Sequence, residues 1–425
     1  MKILAVYPYV PWPLNRGAYH RAFHLLKGLA VDHTVDLLAL AENGESADAK
    51  HVFEDFCRRV DVLPFNHPEW ERLFPKRLLN PLPSTIAHWT IPNLAAKISE
   101  ILARDRYDAV HVLDLVLTQF FMREHKEIPL VLDRTRVDLQ YQLMEQKHLK
   151  KGGARLLPSI KNRLLNYECY TKLWAFEKSV AKRCALQVLC GPDDQDFVRK
   201  YISREVPLSI IPNGVDLEFF HPNSAPDARA AEPTVIFCGA MDYNPNVDAL
   251  RWYFAEIHES LRREIPDLRV LIVGKDPIAE VKSYAQKPGV TVTGGVPDVR
   301  PYYKRAWLQI VPLRIGGGTR LKIVESLGIK TPVVSTTIGA QGLDLKHDFD
   351  ILYADNAADF VTQTARALRD SNLRTKLEIN GRNSAESRLS WKKLGADLST
   401  AYDQHISAAS PSRTKTHLAA APQLA

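Results

Sequence analysis

Leu308-Gln-Ile-Val-Pro-Leu-Arg-Ile-Gly-Gly-Gly-Thr-Arg-Leu-Lys-Ile-Val-Glu-Ser-Leu-Gly-Ile-Lys-Thr-Pro-Val-Val-Ser335 reads as strand, glycine loop, helix, turn and strand. Leu308, Ile310 and Val311 form a short apolar run suited to a buried strand. Gly316, Gly317 and Gly318 leave the backbone bare, and the spacing from Thr319 to Leu327 predicts a helix with Leu321, Val324 and Leu327 inward. Without Cβ atoms in the way, backbone N–H groups can approach an anion. The helix N-terminus adds partial positive charge, so phosphate is the expected guest. Arg320 and Lys322 fall in the first turn, where the macrodipole disfavours cations; a dianionic ligand would account for them. Glu325, three residues beyond Lys322 on a neighbouring face, is in reach of a sugar attached to that phosphate. The alternative reading is a tight turn followed by an exposed Lys–Glu pair.

The same alternation extends in both directions. Thr234–Cys238 reads as a strand followed by Gly239 and a helix from Val247 to Arg263. Leu268–Val273 ends at Gly274, Val290–Thr293 ends at Gly294-Gly295, and Thr331–Ser335 leads to Gly339-Ala-Gln-Gly342. Strands that run into glycine outline a crevice lined by backbone, which suits a nucleotide diphosphate. Upstream, Lys2–Tyr7 is a strand, Pro8–Gly17 a proline-stiffened loop, Tyr19–Leu29 an amphipathic helix and Thr34–Leu40 the next strand, a parallel α/β unit. The Asn15-Arg16-Gly17 loop stands where such sheets bind ligands, but it is not G-x-G-x-x-G, so a dinucleotide fingerprint is absent. Two further strands end in Asp114 and Asp133, candidates for acid–base work or acceptor binding, or else helix caps; His111 reads as a core histidine.

Four other segments carry expectations. Trp70–Trp89 is proline- and aromatic-rich and reads as a surface loop, with a mobile lid or interfacial patch as the alternative. Residues 145–172 carry Lys147, Lys150, Lys151, Arg155, Lys161, Arg163 and Lys172 among leucines. Such a segment is either a partner for an anionic membrane surface or a solvated helix face. Pro222–Pro233 reads as a linker and the tail 407–425 as disordered. These readings divide the chain into a first Rossmann-like domain (1–212), a linker (213–233), a second such domain (234–390), a last helix (391–406) and the tail.

The chain, 425 residues with 45% hydrophobic and 25% charged, is long enough for two globular domains. No apolar run approaches the ~20 residues that span a bilayer, and Met1–Pro8 reads as a strand rather than a signal peptide. The five cysteines lack C-x-x-C spacing, which fits reduced cytoplasmic thiols and no metal site. A net charge of +7 suits anionic ligands, and no nucleic-acid motif is present, so no nucleic-acid partner is expected.

Five stretches together carry a resemblance: Ile211-Pro-Asn-Gly-Val-Asp-Leu-Glu-Phe-Phe-His-Pro222, Phe237-Cys-Gly-Ala-Met241, Gly294-Gly-Val-Pro-Asp298, Gly316–Glu325 and Thr331–Leu343. With them the second half resembles the α/β glycosyltransferases of the GT-B fold in the large retaining family four. The first half is similar in pattern through its first strand, its proline-glycine loop and Asp-x-Val-His. More narrowly, the chain is similar to sugar transferases of bacterial exopolysaccharide and PEP-CTERM/exosortase loci.

The resemblance implies two Rossmann-like domains facing across a cleft, with Trp391–Ile406 crossing back to the first. It implies transfer of a sugar from a nucleoside-diphosphate sugar to a hydroxyl of a glycan or lipid-linked acceptor, with retention. No metal or other cofactor would be needed. The enzyme would be cytoplasmic, either free or peripheral on the inner face of the cytoplasmic membrane. Glu325 would meet the ribose, and the Gly316–Thr319 amides with Arg320, Leu321 and Lys322 the pyrophosphate. Gly295 and Val296 would meet the base, with Gly17 and Gly239 beside the donor. Asp114, Arg320 and Lys322 are the catalytic candidates, and Arg16, Tyr19 and Asp133 the acceptor candidates.

Three positions depart from the family pattern. Gly317 stands where a second glutamate is common, Met241–Asn246 lacks a basic pair, and Leu113 with Asp114 replaces a histidine at a strand end. Two other functions fit the same fold: a nucleotide-sugar 2-epimerase and an inactive binding module.

Overall fold

A computed structural model describes residues 1–42, 47–67, 79–151, 160–224, 229–316 and 319–406. Seven parallel strands form the first sheet: β1 (Lys2–Tyr7), β2 (Thr34–Glu42), β3 (Arg59–Phe65), β4 (Ala109–Leu113), β5 (Leu130–Asp133), β6 (Cys184–Leu189) and β7 (Leu208–Ile210). Their order is β3-β2-β1-β4-β5-β6-β7. A second parallel sheet contains β8 (Thr234–Cys238), β9 (Arg269–Val273), β10 (Val290–Gly294), β11 (Leu308–Val311), β12 (Val333–Ser335) and β13 (Leu352–Tyr353), in the order β10-β9-β8-β11-β12-β13. Both orders reverse direction once, between β1 and β4 and between β8 and β11. In open parallel sheets ligands bind beyond the carboxyl ends of strands at such reversals. The loop after β1 and the glycine loop after β11 therefore both stand where a ligand is expected.

The helices that position the site are α1 (Gly17–Asp32), α2 (Asp138–Lys151), α3 (Ile160–Arg183), α4 (Pro192–Phe197), α5 (Asn244–Trp252), α6 (Arg300–Arg305), α7 (Leu321–Gly328), α8 (Ser371–Arg388) and α9 (Trp391–His405). Central strands are buried along their length, as β4 and β8 are at every residue, because helices cover both faces of each sheet. One core fills the second domain, and two cores flank the first sheet.

The last helix belongs to a first-domain core. Trp391, Leu394, Leu398 and Tyr402, at helical spacing, pack with Leu25, Leu26 and Leu29 of α1. Gly28 and Gly395 meet at the crossing, where a Cβ on Gly28 would lie 2.6 Å from the Gly395 Cα. Gly395→Leu should therefore destabilise the protein by ~1–3 kcal/mol through overpacking, read as a lower Tm. Ala396→Leu, on the exposed face of the same helix, should leave it within experimental error. Equal melting of the two variants would show that α9 does not depend on this contact.

Several expected elements shift. The helix expected over Thr319–Leu327 begins at Leu321, with Arg320 as an extended N-cap residue (φ −95°, ψ 108°). Thr319 is held outside it by hydrogen bonds to the first crossing between the domains. The helix expected over Val247–Arg263 contains a π-turn at Tyr253–Ile257 between α5 and the helix His258–Glu264. The two-residue strand β13 and the short helix α4 have too little periodicity to be seen in sequence. Gly317, Gly318, the tail 407–425, residues 225–228 of the expected linker and residues 70–78 of the Trp70–Trp89 segment lie outside the described residues. So do most side chains of the basic 145–172 segment, whose backbone forms the end of α2 and the start of α3. Among the described residues, no helix is long and apolar enough to cross a membrane.

Candidate functional site

α7 leaves the glycine loop with Lys322 and Glu325 facing the carboxyl ends of β8 and β11. Lys322 Nζ donates to Asn246 Oδ1 at 2.7 Å and lies 4.2 Å from the centre of the Phe237 ring. Asn246 is fixed in turn by its Nδ2 donating to the Ala240 carbonyl at 2.8 Å. Glu325 Oε2 accepts from the Tyr303 hydroxyl at 3.1 Å, and Tyr303 is fully buried on α6. Burial lowers the Lys322 ammonium to about 7. It also raises the Glu325 carboxyl to about 7, against the Tyr303 hydrogen bond and the Lys322 charge. The pair is therefore not the exposed Lys–Glu pair of the alternative reading. It is a partly buried pair, each member held by a neighbour, with both groups shifted toward neutrality.

Arg320 turns its guanidinium back toward Gly316. Gly316 has φ +141°, and a Cβ there would run into the Arg320 guanidinium. Burial lowers the Arg320 pKa, while the nearby Tyr243 and Asp194 act in the opposite direction. Leu321, at the first position of α7, packs against cores of both domains and lies beside Gly17. Gly17 thus faces the start of α7 across the cleft. The opposite wall is tied together by backbone: Gly239 N donates to Val273 O, Gly274 N to Gly294 O and Met241 N to Lys275 O, at 2.8–3.1 Å. A Cβ on Gly239 would lie 3.0 Å from Lys322 Nζ, while Gly295 and the partly buried Val296 follow at the end of β10.

The loop is also held from behind. Asn213 N–H donates to Thr319 Oγ1 at 2.6 Å, and Asn213 Nδ2 to the Thr319 carbonyl at 2.9 Å. Asn213 Oδ1 and the Ile211 carbonyl accept from Arg21 Nη1, at 3.3 and 2.7 Å. Arg21 Nε and Nη2 both donate to Asp133 Oδ1, at 3.0 and 2.6 Å, with both side chains fully buried. Asp133, expected to bind acceptor, is thus corrected to a structural anion. At the end of β5 its carboxylate points back into the domain because α1 supplies the buried guanidinium. His111 is a core residue as expected, fully buried with Nδ1 2.8 Å from the Tyr402 hydroxyl of α9.

Asp114 ends β4 and stands at the N-cap position of the 3-10 helix Leu115–Phe121, but its side chain makes no capping hydrogen bond. Its φ is +61°, and its Oδ1 accepts from Thr135 N and Oγ1 at 3.1 and 2.8 Å. Burial, with the neighbouring Asp138 charge, raises its carboxyl to about 6. Arg16 and Tyr19 stand together at the start of α1, with the guanidinium 5.6 Å from the ring centre and Tyr19 stacked on Tyr9 at 4.7 Å. Sequence reasoning passed over Tyr9, Tyr303, Asn246 and Asn213. Tyr9 Oη is enclosed without a hydrogen-bond partner among the described residues. The Pro-Asn-Gly turn at 212–214 was the one signal that pointed to any of the four. Among the described residues, no group of three or more His, Cys, Asp or Glu is placed to hold a metal ion.

Comparison with known proteins places this geometry in a context. A curated relative, an uncharacterized 44.6 kDa protein in the cps region of Klebsiella pneumoniae, is 25% identical over 134 residues. The match takes in 30% of this chain and 34% of that protein, so the chain spans about a third of the relative's length. Among solved structures, sucrose-phosphate synthase from Thermosynechococcus elongatus superimposes with a TM-score of 0.70 at 16% identity, over 96% of this chain and 100% of the other. Anabaena HepE in complex with UDP gives 0.63 at 14% identity, over 95% and 100%. The fold is that of the GT-B proteins, two Rossmann-like domains facing across a cleft. Residues 232–370, which contain the glycine loop, Lys322 and Glu325, match the family model described as Glycosyl transferases group 1.

Proposed function

We propose that the protein transfers a sugar from a nucleoside-diphosphate sugar to an acceptor hydroxyl, with retention of configuration. The observation that carries this is the partly buried Lys322–Glu325 pair, held by Asn246 and Tyr303 at the reversal of strand order in the second sheet. A diphosphate bound there meets Lys322, Arg320 and loop amides, while Glu325 accepts from the ribose hydroxyls. As the bond from the sugar to the diphosphate breaks, negative charge grows on the leaving oxygen, and preorganised donors stabilise it without reorganising. The acceptor oxygen forms the new bond to the same carbon and gives up its proton. Asp114, on the first-domain side and near pKa 6, is the group we assign to that proton.

The HepE structure contains UDP, which makes UDP the first nucleotide to test. We assign a glycan or lipid-linked acceptor and a reaction at or near the cytoplasmic membrane face, in keeping with a relative from a cps region. The donor is a substrate, and the mechanism draws on no other cofactor.

UDP, GDP, ADP and their sugar derivatives should be screened by thermal shift. At about 100 times Kd the correct ligand adds ~2.7 kcal/mol of stability. Glu325→Gln, which keeps the shape but loses the carboxylate, should shrink that shift. If no nucleoside diphosphate raises the Tm of the wild-type protein, the donor assignment is wrong.

A further inference from the structure

A second cavity of about 370 Å³ opens between the domains, away from Lys322 and Glu325. Its first-domain side is Gln140 of α2 with Asp193, Asp196, Lys200 and Tyr201 of α4 and the turn after it. Its second-domain side is the loop after β12, with Thr337, Ile338 and Gln341. The two sides meet because the backbones touch: a Cβ on Gly191 would lie 2.8 Å from the Gly342 Cα. Gly342 in turn lies against the Thr319 methyl group. The cavity therefore begins one residue from the loop assigned to the donor diphosphate. Asp194, between Asp193 and Asp196 on α4, is buried in the direction of Arg320.

The lining is chemically mixed. Tyr201 and Ile338 are large hydrophobic residues left 47% and 41% exposed, one from each domain and both in this cavity. Tyr201 is backed by Phe197 at 4.8 Å, and its carbonyl is held by Trp174 Nε1 at 2.8 Å. Its backbone is thus held in place, and Lys200 Nζ stands 5.2 Å from the ring centre. Around it stand carboxylates that accept, an ammonium that donates and amides that do both. Gln341 Oε1 is enclosed and has no hydrogen-bond partner among the described residues, a buried acceptor that lacks a donor. Sugars match this set. They present hydroxyls around a rim and C–H groups on a face, which suits an aromatic ring. The volume is at the low end of the ~300–1,000 Å³ of small-molecule sites, enough for a short saccharide. Two exposed carboxylates against one lysine oppose an anion, although the protein as a whole carries +7.

We propose that this cavity is a subsite for an uncharged saccharide portion of the acceptor, held between the two domains beside the donor loop. The proposal rests on the glycosyl-transfer reading, and it moves the acceptor's sugar away from Asp133, which is fully buried against Arg21. Arg16 and Tyr19 stand at the loop after β1, whereas this subsite follows β6 and β12.

The test is saturation-transfer NMR on the full chain with methyl glucoside, methyl galactoside, methyl mannoside and glucuronic acid as probes. Wild type is compared with Tyr201→Ala and Asp196→Asn, two exposed positions outside the donor machinery, with UDP thermal shifts measured on all three. At least one neutral glycoside should receive saturation from the wild type and bind each variant about tenfold more weakly or worse. Glucuronic acid should bind less well than the neutral probes, and the UDP shift should be the same in all three proteins. The proposal is overturned if no neutral glycoside binds the wild type, if binding survives both substitutions, or if glucuronic acid binds best. A missing UDP shift with an intact, substitution-sensitive glycoside signal would sink the donor reading and leave this subsite standing.

Discussion

Lys322→Ala should remove nucleotide-diphosphate recognition, lowering kcat/KM by ~10²–10³-fold and abolishing the thermal shift produced by UDP or the matching nucleotide. Lys322 is already bonded to Asn246 and placed over the Phe237 ring, so the ligand finds it in position. Burial has lowered its pKa to about 7, which sets the sign of the pH effect. A bound diphosphate favours the charged ammonium, so binding takes up a proton at and above neutral pH, and affinity falls as pH rises past about 7. Glu325, raised to about 7, accepts from the ribose best as a carboxylate, so affinity also falls as pH drops below that value. Affinity should peak near neutrality. Calorimetry of UDP binding in buffers of different ionisation enthalpy measures proton uptake above neutral pH and proton release below it. Wild-type affinity in Lys322→Ala would refute the site.

Arg21→Met should cost ~3–5 kcal/mol of stability, the range for removing one partner of a buried ion pair. Its effect goes beyond the pair. Asp133 would be left as a fully buried charge, and the Ile211 carbonyl and Asn213 Oδ1 would lose their shared donor. Because Asn213 holds Thr319, the loss should also loosen the glycine loop and weaken nucleotide binding. Adding Asp133→Leu removes the stranded charge and should recover a large part of the stability, since a well-packed apolar replacement of a buried pair is often neutral. The double variant should not recover nucleotide affinity, because Asn213 still lacks its partner. Chemical denaturation and nucleotide titration of both variants separate the two effects. Full recovery of affinity in the double variant would show that Arg21 acts through stability alone.

The donor side of the site is legible in the sequence because its parts are close together in the chain. Three glycines, two cations and a carboxylate fall within the ten residues from Gly316 to Glu325, and local periodicity orients them. The strand–helix alternation is legible for the same reason. The supporting contacts are not, because each joins residues far apart. Arg21 sits in an amphipathic helix beside Ala22 and Phe23, where nothing local distinguishes a buried arginine from a surface one, and its partner is 112 residues away. Asn246 falls in the stretch noted for lacking a basic pair, yet it is the residue that positions Lys322. Asp133 shows the limit of the strand-end argument. The rule gives the end of the strand but not the direction of the side chain, which a guanidinium from another helix decides. Asp114, at the end of the adjacent strand, stays at the cleft because the Thr135 amide and hydroxyl hold it there.

The chain passes between the domains twice, at 213–216 and at 389–391, and the two passages are hydrogen-bonded to one another. Val215 N donates to Leu389 O at 2.8 Å, Trp391 N donates to Val215 O at 3.2 Å, and Val215 pairs with Ser390 in parallel. Gly214 lets them approach, since a Cβ there would meet Leu389 O at 2.8 Å. Two flexible tethers set apart would let the domains slide or twist. Bonded side by side, they act as the spine of a book: they bend together, about one axis, and resist shear. Asn213, at the edge of that spine, is bonded to Thr319, so opening the pages also pulls on the loop assigned to the diphosphate.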